Sequence, residues 1–84
     1  MQYVYILISK KDKNLYVGCT SDIEKRLFQH NTGLVSATKY RTPLELMHCE
    51  IFEEAKDAFE REKFLKSLWS SRLKKKLKEK YLSR

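Results

Sequence analysis

In the stretch LYVGCTSDIEKRLFQH, a strand-like Leu15-Tyr16-Val17 runs into Gly18, and ten residues past the tyrosine Arg26 and His30 stand four apart. At about 100° per residue on a helix, His30 falls on the face set by Ile23 and Leu27, and Arg26 lies about 60° to one side of Ile23. A guanidinium on or beside a docking face is costly to desolvate unless it meets an anion or an open cleft. Alone, His30 reads as a hydrogen-bonded core histidine; beside Arg26 it reads as part of a site that handles an anion. Further along, Ala55, Ala58, Phe59, Leu65 and Trp69 form an apolar helical stripe with Glu62 at its middle. A carboxylate there pairs with a cation, holds a metal or carries a proton. Tyr5 and Tyr16, each ordinary as a core or edge aromatic, are expected to face one another across a turn centred on Lys11 and Asp12. Gly18 leaves bare backbone beside them, where a phosphate or a substrate strand can approach.

Other chemistries find no support. Cys19, His30, His48 and Cys49 lack zinc-site spacing, and His48 and Cys49 are strand neighbours whose side chains point to opposite faces. No glycine-rich phosphate loop is present, and no Ser or Cys stands in a known nucleophile motif.

The elements that must position these residues follow from periodicity. Tyr3 to Ile8 is β-branched and aromatic on both alternating faces, as expected of a central strand covered on both sides. The polar turn Lys10 to Asn14 joins it to LYVGC in an antiparallel hairpin. Ser21-Asp22-Ile23-Glu24 matches a capping box with Ser21 as N-cap, and Asn31-Thr32-Gly33 supplies the stop. The polar loop 34–42 leads to a third strand, Leu44 to Phe52. From Ala55 a helical pattern runs through Trp69, and Ser70-Ser71 separate it from a last helix marked by Leu73, Leu77 and Tyr81. The expected order is β-β-α-β-α-α, an α/β (α+β) sandwich around a three-stranded antiparallel sheet.

At 84 residues the chain is expected to form one domain, spanning 1–84, with a basic helix at about 71–82. No signal peptide or membrane span is legible, and two cysteines fit a reducing compartment, so a cytoplasmic protein is expected. The net charge of +7 is unevenly placed. Residues 61–84 carry ten Lys or Arg against two Glu, a net of +8, whereas the first sixty residues carry a net of −1. Such a block attracts polyanions by counterion release; the same run also serves as a solvated face that keeps a small protein soluble.

YVY at Tyr3 to Tyr5, YVG at Tyr16 to Gly18, then Arg26, His30 and the helical Glu62, together with TKYRTP and AFEREKFLK, resemble a GIY-YIG nuclease domain over about residues 2–80. The likeness is to the small stand-alone bacterial subgroup, related to the N-terminal domain of the repair excinuclease and hence to DNA repair. It implies Tyr5, Tyr16, Arg26 and His30 as catalytic residues, and Glu62 as ligand of one divalent metal, Mg²⁺ or Mn²⁺. Gly18, Lys39, Tyr40, Lys74, Lys75 and Lys76 are expected to contact substrate. Tyr3 replaces the first motif glycine, Cys19 stands where the excinuclease domain has a lysine, and lysines stand where relatives place a later asparagine. The expected function is a structure-type or weakly specific endonuclease hydrolysing DNA, in preference to RNA, with a protein partner supplying specificity. The alternative is a nucleic-acid-binding module without catalysis. Which tyrosine acts as base is open.

Overall fold

A computed structural model describes residues 1–83. Its elements are β1 (Gln2–Ser9), β2 (Leu15–Thr20), α1 (Ile23–Asn31), β3 (Leu44–Phe52), α2 (Ala55–Leu65), a 3₁₀ turn (Leu68–Ser70) and α3 (Ser71–Leu82). The three strands form one antiparallel sheet in the order β2-β1-β3, so the apolar strand at the N-terminus is the central one, as its two-faced pattern requires. Its alternation divides the core. Val4 and Ile6 pack on Ala58 and Leu65 of α2, joined by Leu73 and Leu77 of α3. Tyr5 and Leu7 pack on the other face with Leu44, and with Ile23 and Leu27 of α1. The expected β-β-α-β-α-α order and three-stranded sheet are what forms.

Three local expectations are corrected. Asp22, not Ser21, caps α1: its carboxylate accepts the Lys25 amide at 3.1 Å, and Thr20 Oγ1 accepts the Asp22 amide at 3.1 Å. A carboxylate satisfies the orphan amide and also sets a negative charge at the positive end of the helix dipole, which a serine hydroxyl does not. The second helix ends at Leu65 rather than Trp69. Serine hydroxyls draw off its last carbonyls, with Ser67 donating to Phe64 and Ser70 to Leu65, a competition that favours ends over interiors. Trp69 is consequently outside the core at 88% exposure, and Phe59, within α2, is also outside it at 55%. The third correction is the hairpin register, taken up with the site it builds.

Glu50 and Arg61 lock α2 to β3. Arg61 Nε and a second guanidinium nitrogen reach the two carboxylate oxygens at 2.8 and 3.0 Å, and His48 Nε2 lies 2.8 Å from the same group. The two-pronged Arg61 contact, then His48, holds the Glu50 carboxyl below the usual carboxylate range against the opposing effect of burial.

If Asp22 is the cap, Asp22→Ala lowers stability by about 1 kcal/mol, and the thermal midpoint by roughly 4–8 °C for a chain of this size. Ser21→Ala stays within about 0.5 kcal/mol. Thermal unfolding of the two variants reads the difference, and the reverse ranking would return the cap to Ser21.

Candidate active site

A turn centred between Lys11 and Asp12 pairs Tyr5 with Gly18 and Leu7 with Tyr16. The two tyrosines therefore do not face one another; they sit two residues out of register on the same face. This has a direct use. The Tyr5 ring lies across Gly18, so that a Cβ built on the glycine would stand 2.2 Å from the phenol oxygen and 2.4 Å from the ring carbon that bears it. No side chain other than hydrogen fits there. The bare backbone of Gly18 is taken by the tyrosine, which thereby reaches from the central strand toward the sheet's edge.

The Tyr5 hydroxyl is a junction. Arg26 Nε donates to it at 3.3 Å, and His30 Nε2 lies 3.1 Å away. The other imidazole nitrogen, Nδ1, is 2.8 Å from Thr38 Oγ1, and the threonine hydroxyl reaches the Val35 carbonyl. In the tautomer where the threonine hydroxyl donates to that carbonyl, a long contact of 3.5 Å, its oxygen accepts from Nδ1–H. Nε2 is then the bare nitrogen and receives the Tyr5 hydroxyl proton. In that tautomer donation runs one way along the row: Arg26, Tyr5, His30, Thr38, Val35. Burial, and next the Arg26 guanidinium, hold the His30 imidazole below its ordinary value of 6.5, so it is neutral at pH 7 and able to accept.

Glu62 comes from the opposite face of the sheet. It lies on α2 between Ala58 and Leu65, both fully buried. Its side chain keeps 22% of its surface exposed, and Lys66, one turn on, is 3.1 Å away with 56% exposed. Among the described residues no arginine pairs with it: Arg61 is committed to Glu50 and Arg26 to Tyr5 and Gln29. Cys19 stands between the halves: burial and then the Glu62 charge push its thiol up, against the pull of Lys66. The two halves meet at the β2 edge in one cleft of about 220 Å³. Tyr5, Tyr16, Arg26, His30 and Glu62 all line it, as does Gly18.

The other expected contact residues lie elsewhere. Lys39 and Tyr40 are exposed, with the ammonium 5.4 Å from the phenol ring centroid, and neither lines the cleft. Lys75 and Lys76 line a separate groove of about 560 Å³ on α3 with Arg72, Leu73 and Glu79; Lys74 lines neither. α3 packs on β3, the edge of the sheet away from β2. Thr38, fully buried, and Lys66 were not legible as site residues. Lys66 had a signal, its i,i+4 spacing from Glu62. Thr38 had none, because loop 34–42 has no period to place it. Arg41 is also new here, with its guanidinium 5.8 Å from the Tyr16 ring centroid.

A phenol, a neutral imidazole, a guanidinium and a carboxylate thus line one open cleft. Residues 1–80 match the family model of the GIY-YIG catalytic domain, and the chain belongs to that nuclease family. Within it the chain is similar to UPF0213 proteins. That of Clostridium perfringens strain 13 is 44% identical over 69 residues, 81% of this chain and 73% of the relative. That of Natronomonas pharaonis is 45% identical over 74 residues, 87% of this chain and 84% of the relative. The solution structure of a UPF0213 protein from Bacillus halodurans superimposes with a TM-score of 0.57 at 35% identity, covering 92% of this chain and 82% of that one.

GIY-YIG nucleases generally use a divalent metal, and the donor set here fits a hard one. Among the described residues no three of His, Cys, Asp and Glu converge on a metal position. Glu62 is a single carboxylate beside a cleft open to substrate, and Mg²⁺ is commonly held by one or two carboxylates together with substrate phosphate and water.

Two outcomes test this geometry. Gly18→Ala forces the Tyr5 ring aside and breaks its contacts to Arg26 and His30; the Tyr5 and His30 side-chain resonances shift together, whereas Val17→Ala leaves them in place. For His30, the folded state binds a proton less readily than the unfolded chain does. Its contribution to stability is therefore complete above about pH 6.5 and is lost as the pH falls through the lower folded value. The stability of wild type minus that of His30→Gln should decline over that window; a flat difference would mean that the imidazole is not held neutral.

Proposed function

We propose that this chain is a divalent-metal-dependent endonuclease that hydrolyses DNA phosphodiester bonds, with structure-type or weak sequence specificity. The observation that carries the reading is the convergence of Tyr5, Tyr16, Arg26, His30 and Glu62, from two strands and two helices, on one cleft. Packing a small core does not require it.

Of the two tyrosines, Tyr5 is the better base. Phenols ionise near pH ~10 and are weak bases at neutral pH unless their own proton has somewhere to go. The Tyr5 proton has His30 Nε2, while no hydrogen bond holds the Tyr16 hydroxyl among the described residues. As Tyr5 oxygen takes a proton from the attacking water, its own passes to His30, and Thr38 steadies the resulting imidazolium through Nδ1–H. Tyr16, its ring under Arg41, orients water or phosphate. Arg26 sets its remaining N–H groups against the charge that develops on the phosphoryl oxygens. Glu62 would hold the Mg²⁺ or Mn²⁺ ion, which when bound would supply Lewis-acid stabilisation at the phosphoryl group. Free Cys19 and Cys49 suit action in the cytoplasm, and a separate protein partner would supply the target specificity that so small a domain lacks. Among the described residues no helix is long and apolar enough to cross a membrane.

One contact favours the second reading, a nucleic-acid-binding module without catalysis: Lys66 pairs with Glu62 at 3.1 Å and offsets the charge a metal would need. Cleavage assays decide between them, using nicked, branched and linear DNA and RNA with and without Mn²⁺. On the endonuclease reading, Arg26→Ala abolishes cleavage with binding held within about tenfold, and Arg26→Lys rescues poorly because a point charge lacks the planar fork. Glu62→Gln abolishes cleavage and the Mn²⁺ broadening of neighbouring amides. Its thermal midpoint holds, since an exposed i,i+4 pair contributes only about 0.3–0.5 kcal/mol. Binding without strand scission under every condition would establish the module instead.

A further inference from the structure

The turn between α2 and α3 sets two large apolar side chains in water. Leu68 is 91% exposed and Trp69 88%. The backbone beneath them is braced. Buried Ser70 donates its hydroxyl toward the carbonyls of Leu65 and Ser67, both at 2.9 Å, and Ser71 Oγ donates to the Leu68 carbonyl at 2.7 Å. The indole is therefore displayed on an ordered turn and contributes nothing to the core.

Its surroundings narrow what it meets. From Lys63 to Lys78 the sequence contains no Asp or Glu. Three positions before it in the chain stands Lys66, which lines the cleft; three positions after it stands Arg72, which with Lys75 and Lys76 lines the groove on α3. A second copy of the same surface would be repelled by this charge, and an apolar protein segment would leave the charge unused. A ligand that is polyanionic and also carries flat apolar faces satisfies both features. We propose that Trp69, which lies along the chain between Lys66 of the cleft and Arg72 of the basic groove, is a base-stacking platform for an unpaired base of a nucleic acid strand that occupies the cleft. This rests on the endonuclease reading for the cleft's occupant. Trp69 stands three positions along the chain from Lys66, at most about 11 Å between their Cα atoms. The base must be unpaired because inside a duplex its faces are covered by its neighbours. Stacking of this kind is tolerant of sequence.

Trp69 is the sole tryptophan, so its fluorescence reports the site directly. The full chain is titrated in chelator, where nothing is cleaved, with an oligothymidylate, an abasic strand of equal length and a blunt duplex, each labelled for anisotropy. Oligothymidylate should quench the indole and the abasic strand should bind without quenching. Trp69→Ala should weaken oligothymidylate binding about ten- to hundredfold, leave abasic binding and the salt slope unchanged, and fold as wild type does, since the side chain is exposed. Trp69→Phe should remain within a few-fold. Binding of oligothymidylate without quenching, equal quenching by the abasic strand, or Trp69→Ala binding like wild type would each overturn the platform. A self-association that shields the indole before any strand is added would overturn it too. Cleavage in Mn²⁺ is read separately: cleavage without quenching removes the platform and leaves the endonuclease, quenching without cleavage keeps the platform on a non-catalytic module, and no binding of any strand overturns both.

Discussion

The phenol of Tyr5 lying over the bare backbone of Gly18 is the contact on which the site depends. Tyr5 belongs to the central strand and is 2% exposed, so its hydroxyl reaches the outside only by passing sideways over the neighbouring strand. Any Cβ at the cross-strand position stops it. With that passage open, α1 lays Arg26 and His30 against the phenol from one face, and α2 brings Glu62 to the same edge from the other. A single three-stranded sheet has no depth in which to sink a pocket. A cleft folded around its edge is what it can build, and that shape suits a polymer laid across it better than a small molecule enclosed within it.

Charge is allotted on the same economical plan. Arg61 and Glu62 are adjacent on α2, yet one is structural and the other is held back. Arg61 grips Glu50 with two nitrogens and fixes the helix to β3. Glu62 is left with a half-exposed lysine, a pairing that screening makes weak and that an incoming cation can displace. Neutrality of His30 is part of the same arrangement. Burial and Arg26 both disfavour its protonation, and its two ring nitrogens lie against the Tyr5 and Thr38 hydroxyls.

Much of this was legible in the sequence. The two-faced pattern of Tyr3 to Ile8 identified a central strand, and helical angles put Arg26 and His30 beside the docking face and Glu62 within an apolar stripe. What failed did so for local reasons. The capping box was one residue out because a nearby aspartate outcompetes a serine for the orphan amide. The stripe through Trp69 overran because angle alone does not register the serine hydroxyls competing for the helix's last carbonyls. Tyr5 and Tyr16 were set opposite each other although the turn was correctly centred, and with them went the role of Gly18, since a cross-strand clearance becomes visible only in the true register. Thr38 lay in a stretch with no period, where burial has no sequence signature.

The placement of positive charge separates two tasks that composition alone merges. Nearly all the excess lies in α3 and the turn before it, over β3, while the cleft at β2 holds only Arg26 and Lys66 as cations among its lining residues. Long-range attraction of a polyanion depends on the number of charges and on salt, whereas stabilising charge on one phosphoryl group depends on the aim of a single fork. The first can be spread over an exposed helix whose lysines need no fixed geometry. On the proposed reading the second falls to Arg26, held at Nε by Tyr5 and at a terminal nitrogen by Gln29. Lys66 is the residue that belongs to both tasks, lining the cleft at the foot of the turn that leads into α3. On the proposed reading, a strand running from the lysines of α3 to the cleft would follow the chain past that turn, whose backbone is braced by its serine hydroxyls.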